Sequence, residues 1–328
     1  MAAVQSKMQR LWDRVAVALV LAALLITMIP LYWIGSTAFK ALADATTVPP
    51  TVFFRPQVTA FIKLFTARVE RRGAPNKEEY AKAPWWEKLV MDGGERFIRD
   101  DKGNIASSGY VGRFTNSLII AAISTFLAVA MGTVTAYGFS RFKMPGESDW
   151  LFFILSTRML PPVVVAIPMY LMYRTVALVD THPGLIILYT AFNLSFSVWV
   201  MKGFMDEIPK EYEEAALVDG YTRMEAFFKI VLPQAATGIA ATAVFCFITA
   251  WNEYAFALMM TNRNAQTAPP FIPAQLGSGL TDWATIAAGS TLFLLPVALF
   301  TFFLRNHLLR GVTQLLRRAT QVKQAAQR

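Results

Sequence analysis

Six stretches of the chain stay apolar long enough to cross a hydrocarbon layer: Val15–Phe39, Asn116–Phe139, Leu151–Tyr173, Gly184–Met201, Ala235–Met260 and Thr285–Leu304. A bilayer core of about 30 Å needs roughly 20 apolar residues at helical rise. Each stretch therefore predicts a membrane-spanning helix, and the fold class is an all-α integral membrane protein with six transmembrane helices. Pro30, Gly132, Pro161, Pro162, Pro168 and Pro296 interrupt these runs, which membrane helices tolerate when neighbouring helices satisfy the freed backbone groups. The first run is too long for a cleaved signal peptide and is followed by further spans.

The polar segments set the orientation. Lys7, Arg10 and Arg14 precede the first span, Arg141 and Lys143 follow the second, and Arg305, Arg310, Arg317, Arg318, Lys323 and Arg328 follow the sixth. Basic residues in short loops stay on the cytoplasmic side, so both termini and the 202–234 loop are expected inside, and 174–183 and 261–284 outside. The long segment 40–113 is the one part that reads as soluble. Asn76 with Glu79 imitates a helix-capping box, Pro84 limits that helix, and Asp101-Lys102-Gly103-Asn104 reads as a tight turn. A small external insertion is expected over 66–112, either packing on the outer face or offering a docking surface to an external partner.

Composition agrees with the pattern: the 328 residues are 55% hydrophobic, 16% charged and have a mean hydropathy of +0.41. The net charge of +9 gathers at span ends and in the tail rather than along a face that tracks phosphates, which argues against nucleic acid as a partner. The single cysteine, Cys246, excludes an intrachain disulfide. His182 and His307 have no ligand cluster at metal spacing, so no metal site is expected. No G-x-x-x-x-G-K-[ST] loop occurs, so no nucleotide is expected on this chain in the P-loop manner.

The chemistry concentrates in the polar stretch 209–233, PKEYEEAALVDGYTRMEAFFKIVLP. Pro209 suits a first helical position, and Glu211, Glu213 and Glu214 stand where the helix dipole favours negative charge. Gly220 supplies a left-handed stop, and Thr222 with Glu225 forms a capping box for a second helix that Pro233 ends. Tyr212, Ala215, Ala216 and Asp219 then share one alanine-floored side of the first helix, a surface that fits a partner's groove. The competing interpretation is an amphipathic helix lying on the bilayer, against which stand its acidic first turn and narrow apolar face.

Glu214-Ala215-Ala216, Gly220 four residues on, and Ile230-Val231-Leu232-Pro233 after a gap of nine resemble the E-A-A-x-x-x-G…I-x-L-P loop of ABC importer membrane subunits. Further matches fall in order along the chain: Pro30-Leu31-Tyr32-Trp33 to Lys40, Asn116-Ser117-Leu118-Ile119, Ala136 to Phe142, Met159-Leu160-Pro161-Pro162, Trp251-Asn252-Glu253-Tyr254 and Thr281-Asp282-Trp283. They resemble the carbohydrate-uptake, maltose-type branch of binding-protein-dependent permeases. Ser195, where that family often has Pro, Gly238 in place of a common second Pro, and the RGVTQLLRRATQ tail depart from it and speak against maltose itself.

The resemblance implies a type I importer permease in the bacterial inner membrane, paired with a second permease that is usually a different chain. It implies an ATPase subunit dimer carrying ATP and Mg below, and a periplasmic or lipid-anchored solute-binding protein above. ATPase coupling would fall to Tyr212, Glu214, Ala215, Ala216, Asp219 and Gly220, and the chain itself would be no enzyme. The last external loop, with Gln275, Gly277, Ser278 and Gly279, resembles the segment that reaches into the binding protein. A secondary transporter or channel is the alternative class, disfavoured by the absence of a readable inverted repeat and of paired membrane carboxylates; a membrane scaffold or receptor would leave the E-A-A-like loop unexplained.

Polar groups inside spans are expensive and mark candidate sites. Asn193, Ser195, Ser197, Asn252 and Glu253 are candidates for a hydroxyl-lined translocation path, while Glu253 equally suits capping of freed backbone. Arg158 is expected to cap carbonyls released by Pro161 and Pro162 or to meet a partner-chain carboxylate. Arg158 sits a short way into the third span from the cytoplasmic side and Glu253 in the outer part of the fifth; their depths differ by more than side-chain reach, so no pairing is expected.

Overall fold

A computed structural model describes residues 7–71, 73, 76–275 and 282–325, with Lys7, Gln9, Arg10, Gln275 and 306–325 as backbone only. The helices in chain order are α1 (Lys7–Thr37), α2 (Leu42–Thr46), α3 (Thr59–Phe65), α4 (Lys77–Lys82), α5 (Trp85–Asp92), α6 (Tyr110–Arg141), α7 (Glu147–Ser156), α8 (Pro162–Thr175), α9 (His182–Asp206), α10 (Glu211–Val218), α11 (Arg223–Ala226), α12 (Leu232–Gln234), α13 (Ala236–Trp251), α14 (Ala255–Met260), α15 (Ala268–Phe271) and α16 (Trp283–Ala325). Two short strands, β1 (Arg68–Glu70) and β2 (Glu95–Phe97), pair antiparallel with Val69 opposite Arg96. The chain divides into two compact units, Met1–Tyr110 with Ile272–Leu292, and Val111–Phe271 with Phe293–Arg328.

In the first unit, α1 carries the most apolar window of the described residues, and none of that window is buried by the chain. The insertion is organised by charge. Lys63 on α3 reaches Glu95 at 2.9 Å and Asp282 at 3.2 Å, and Arg68 meets the same two carboxylates. Asp282 also caps α16, accepting from the Thr285 N–H and hydroxyl. Burial opposes its ionisation, but Lys63, Thr285 and Arg68 together hold its carboxyl below the usual range. Asn76 caps α4 through the Glu78 N–H rather than the position-79 box, and Pro84 sits at the N-cap of α5. The tight turn centres on Asp100, whose carboxylate accepts from the N–H groups of Lys102 and Asn104.

The second unit is built around α6, α9 and α13. Its core joins Ile120, Leu185, Leu188, Phe247 and Trp251, with the Trp251 indole stacked between Phe247 and Phe293 and donating to the Phe293 carbonyl. Small residues let α6 and α9 approach closely where Gly132 lies directly against Ser197, as expected where helices pack without a hydrophobic drive. On the loop between α8 and α9, Asp180 adopts φ +57°, a conformation Asp tolerates. Its carboxylate accepts from four consecutive N–H groups, Asn262 to Ala265, at 3.0 to 3.2 Å.

Two of the expected spans are not single helices. Instead of one helix over Leu151–Tyr173, α7 and α8 meet at 92°. Pro161 and Pro162 lack the N–H groups that would continue the ladder, and Leu160, before a proline, is held extended at ψ 126°. Over Ala235–Met260, α13 ends at Trp251, residues Asn252–Tyr254 break the helix, and α14 resumes at Ala255; upstream, the chain turns by 72° into α13. Among the described residues, four helices are long and apolar enough to cross a membrane, or six when each bent pair counts as one span.

Candidate functional site

The polar loop of the second unit forms a compact elbow. α10 runs eight residues from Glu211 with three acidic residues in its first turn, which the exposed N–H groups and dipole favour. Gly220 adopts φ +90°, a conformation that costs an L side chain roughly 1–2 kcal/mol, and the Tyr221 N–H returns to the Ala216 carbonyl. The Thr222–Glu225 capping box then starts α11. The second helix does not stop at Pro233: α11 widens through a π-helical turn, Phe227–Val231, into α12 before the 72° bend.

Of the six coupling candidates, Tyr212, Glu214, Ala215, Asp219 and Gly220 are exposed, and Ala216 is buried. Ala216 therefore belongs to the inner side of α10 rather than to the presented surface. Val218, at 88% exposure, adds an apolar tip beside that surface. Behind the elbow, Phe227 and Val231 pack with Ala136, Met201, Met205 and Ile208, and Phe227 meets the Tyr137 ring at 4.6 Å between centroids.

A residue that sequence reasoning passed over holds the elbow in place. Glu213 points inward, accepts from the Tyr137 hydroxyl at 2.9 Å, and pairs with Arg141 Nε. The same guanidinium donates to Ser140 Oγ and to the carbonyls of Met205 and Ile208. Only 4% of the Arg141 side chain and 7% of Glu213 are exposed. Removing one partner of such a pair costs about 3–5 kcal/mol, because the other charge is left buried. Ser140 extends the cluster to Asp206, and Lys202 bridges Asp206 to Glu147 at the start of α7. The legible signal was spacing: Tyr137 and Arg141 lie four apart on one face of α6, and Glu213 lies three before the buried Ala216.

The path candidates separate into two groups. Asn193 and Glu253 line one cavity of about 190 Å³ together with Arg158, Tyr189, Phe192 and Thr249. Asn193 is 2% exposed; its amide donates to the Cys246 carbonyl, while its Oδ1 has no partner among the described residues. The Arg158 guanidinium lies 4.8 Å from the Phe196 ring centroid, and its buried Nη1 is likewise unbonded among the described residues. Among the described residues, no hydrogen bond joins Arg158 to a carbonyl freed by Pro161 or Pro162. Arg158 lines the same cavity as Glu253, and among the described residues no ion pair joins the two.

Glu253 itself caps α14: Oε1 accepts from the Phe256 N–H, and Oε2 accepts from the Ala257 N–H and the Tyr189 hydroxyl. The remaining candidates lie elsewhere. Ser195 bonds back to the Phe192 carbonyl, Ser197 faces Gly132, and Asn252 donates to the Ile248 carbonyl. Of the candidate binding-protein loop, Gly277, Ser278, Gly279 and the Gln275 side chain lie outside the described residues. Among the described residues no group of His, Cys, Asp and Glu is placed to hold a metal ion.

Comparison with known proteins places this arrangement. Residues 128–314, more than half of the chain, match the family described as binding-protein-dependent transport system inner membrane component. The chain is 34% identical over 215 residues, 65% of its length and 77% of the relative's, to the trehalose transport system permease protein SugB of Mycobacterium tuberculosis. It is 28% identical over 284 residues, covering 87% of this chain and 88% of the relative, to the probable ABC transporter permease protein y4oR of Sinorhizobium fredii. Its fold is similar to that of a chain in a bacterial ABC transporter involved in the import of the acidic polysaccharide alginate, with a TM-score of 0.64 at 17% identity, covering 94% of this chain and all of the other. The expected type I permease fold is thereby met, helical apart from the short β1–β2 pair. The chain is a multi-pass inner-membrane permease subunit of an ABC importer, a transport component and not an enzyme, and belongs to the family of binding-protein-dependent transport system inner membrane components.

Proposed function

We propose that this chain, with a second permease, encloses an alternating-access path for a sugar, polyol or related hydroxylated solute. Solute arrives from a periplasmic or lipid-anchored binding protein, to which the loop with Gln275, Gly277, Ser278 and Gly279 contributes. An ATPase subunit dimer holding ATP and Mg drives the cycle through α10, with both chain termini on the cytoplasmic side. The observation that carries the reading is the geometry of α10: Tyr212, Glu214, Ala215, Asp219 and Gly220 are presented outward while Glu213 and Ala216 anchor the helix from within. Ligand-driven movement requires a partner that binds one conformation better than the other, and closure of an ATPase pair around nucleotide provides that difference.

The hydroxylated-solute class is supported by relatives whose names specify trehalose, diacetylchitobiose and trehalose/maltose transport. Asn193 and Arg158 both line the 190 Å³ cavity, and an amide beside a guanidinium complements the mixed donor and acceptor character of a hydroxyl. The test is uptake by the complex reconstituted in liposomes. Glu214→Lys and Gly220→Asp are expected to abolish uptake and ATPase copurification while leaving the chain inserted. Normal uptake in both variants removes α10 from the mechanism.

A further inference from the structure

We propose that Glu213, rather than the more exposed Glu214, is the positioning residue through which movement of α10 enters the membrane spans, with Arg141 as its receiver. The proposal rests on the coupling role of α10 given above and names where that coupling passes. Glu213 is the inward carboxylate of α10, and both its oxygens are held by α6, through the Tyr137 hydroxyl and Arg141 Nε. Arg141 simultaneously grips the C-terminal end of α9 and the segment after it through the carbonyls of Met205 and Ile208. Displacement of α10 along any direction therefore loads two spans at one guanidinium. The Ser140–Asp206–Lys202–Glu147 chain carries the same node to α7.

Apolar contacts alone would transmit less faithfully. Packing of Phe227 and Val231 on Met201 and Met205 allows side chains to slide, whereas a buried fork of charge-assisted bonds fixes both distance and angle. Glu214 makes none of these bonds and stands in solvent.

The experiment uses the assembled complex with its ATPase subunits in nanodiscs and ATP as the only ligand, so no solute need be known. Fluorophores are attached at Glu211→Cys, an exposed position on α10 outside the coupling set, and, in a separate preparation, at Phe126→Cys on the exposed face of α6. In the unmutated background both reporters respond to ATP. With Glu213→Gln, the α10 reporter and ATP hydrolysis persist, while the α6 response falls about tenfold, the scale of a typical coupling energy. Arg141→Lys, which keeps the charge and loses the fork, gives an intermediate loss. Should Glu213→Gln fail to fold, Tyr137→Phe, which removes one hydrogen bond, is expected to show a smaller loss of the same selective kind.

An α6 response equal to that of the unmutated protein in a folded Glu213→Gln or Tyr137→Phe complex overturns the proposal, as does a parallel fall of both reporters. Silence of the α10 reporter in the unmutated complex would instead refute the coupling role of α10, and with it the premise.

Discussion

Replacing Gly132 by alanine tests how closely α6 and α9 run together. A Cβ at position 132 would stand 2.2 Å from Ser197 Oγ, 2.6 Å from Ser197 Cβ and 3.1 Å from the Ser197 carbonyl carbon. Rotating the serine relieves only the first contact, because Cβ is fixed to the backbone. Ordinary contact begins near 3.4 Å, so the two helices must part locally by roughly 1 Å. Overpacking of this kind typically costs about 1–3 kcal/mol, and that is the expected destabilisation in thermal unfolding of the purified complex. Ser197→Gly in the Gly132→Ala background restores most of the loss, leaving the tight 3.1 Å contact. Ser197→Ala in that background restores little, since its Cβ remains, and on its own is nearly neutral because the hydroxyl is unbonded among the described residues. Undiminished stability of Gly132→Ala, or equal rescue by alanine and glycine at 197, refutes the close-approach argument.

Two further outcomes follow from the same geometry. Glu253→Gln offers one acceptor oxygen where the carboxylate serves the Phe256 and Ala257 N–H groups and the Tyr189 hydroxyl. A loss of about 1–3 kcal/mol is expected, and a double-mutant cycle with Tyr189→Phe should show coupling, whereas additive losses would mean that the Tyr189 bond contributes nothing. Burial of Asp180 disfavours its charged form, but the four backbone N–H bonds prevail and depress its pKa. A carboxylate depressed in the folded state stabilises above its unfolded pKa and loses that contribution as pH falls through the folded value. Amide exchange at 262–265 should therefore accelerate only below about pH 4, and Asp180→Asn should abolish that acid dependence; an unchanged profile in the variant excludes the carboxylate as the cause.

Local grammar made the elbow legible in advance. Gly220 at positive φ and the Thr222–Glu225 box are read from residue type and spacing, because both depend on the chain within four residues. Glu213 escaped because its role is set by Tyr137 and Arg141, more than seventy residues away in sequence; three glutamates in one turn look alike until the fold turns one inward. Hydropathy located the apolar runs but gave no hint of the 92° turn inside the third, since an apolar window does not distinguish a straight helix from a broken one. Arg158 and Glu253 nevertheless line one cavity, a proximity that position along the two runs did not suggest. Ser197 illustrates the opposite failure: a polar side chain inside a span signals a site by its cost, yet here a small residue was needed for helix contact.

The only thiol in the chain, at Cys246, is completely buried beneath the Asn193 amide. Maleimides will thus pass over the native protein, and a cysteine placed at an exposed position becomes its sole reactive handle without any preparatory background substitution. That suits site-directed crosslinking, spin labelling or single-molecule attachment, and ordinary labelling stoichiometry doubles as an integrity check: reagent incorporation into unsubstituted protein would announce that the bundle has opened.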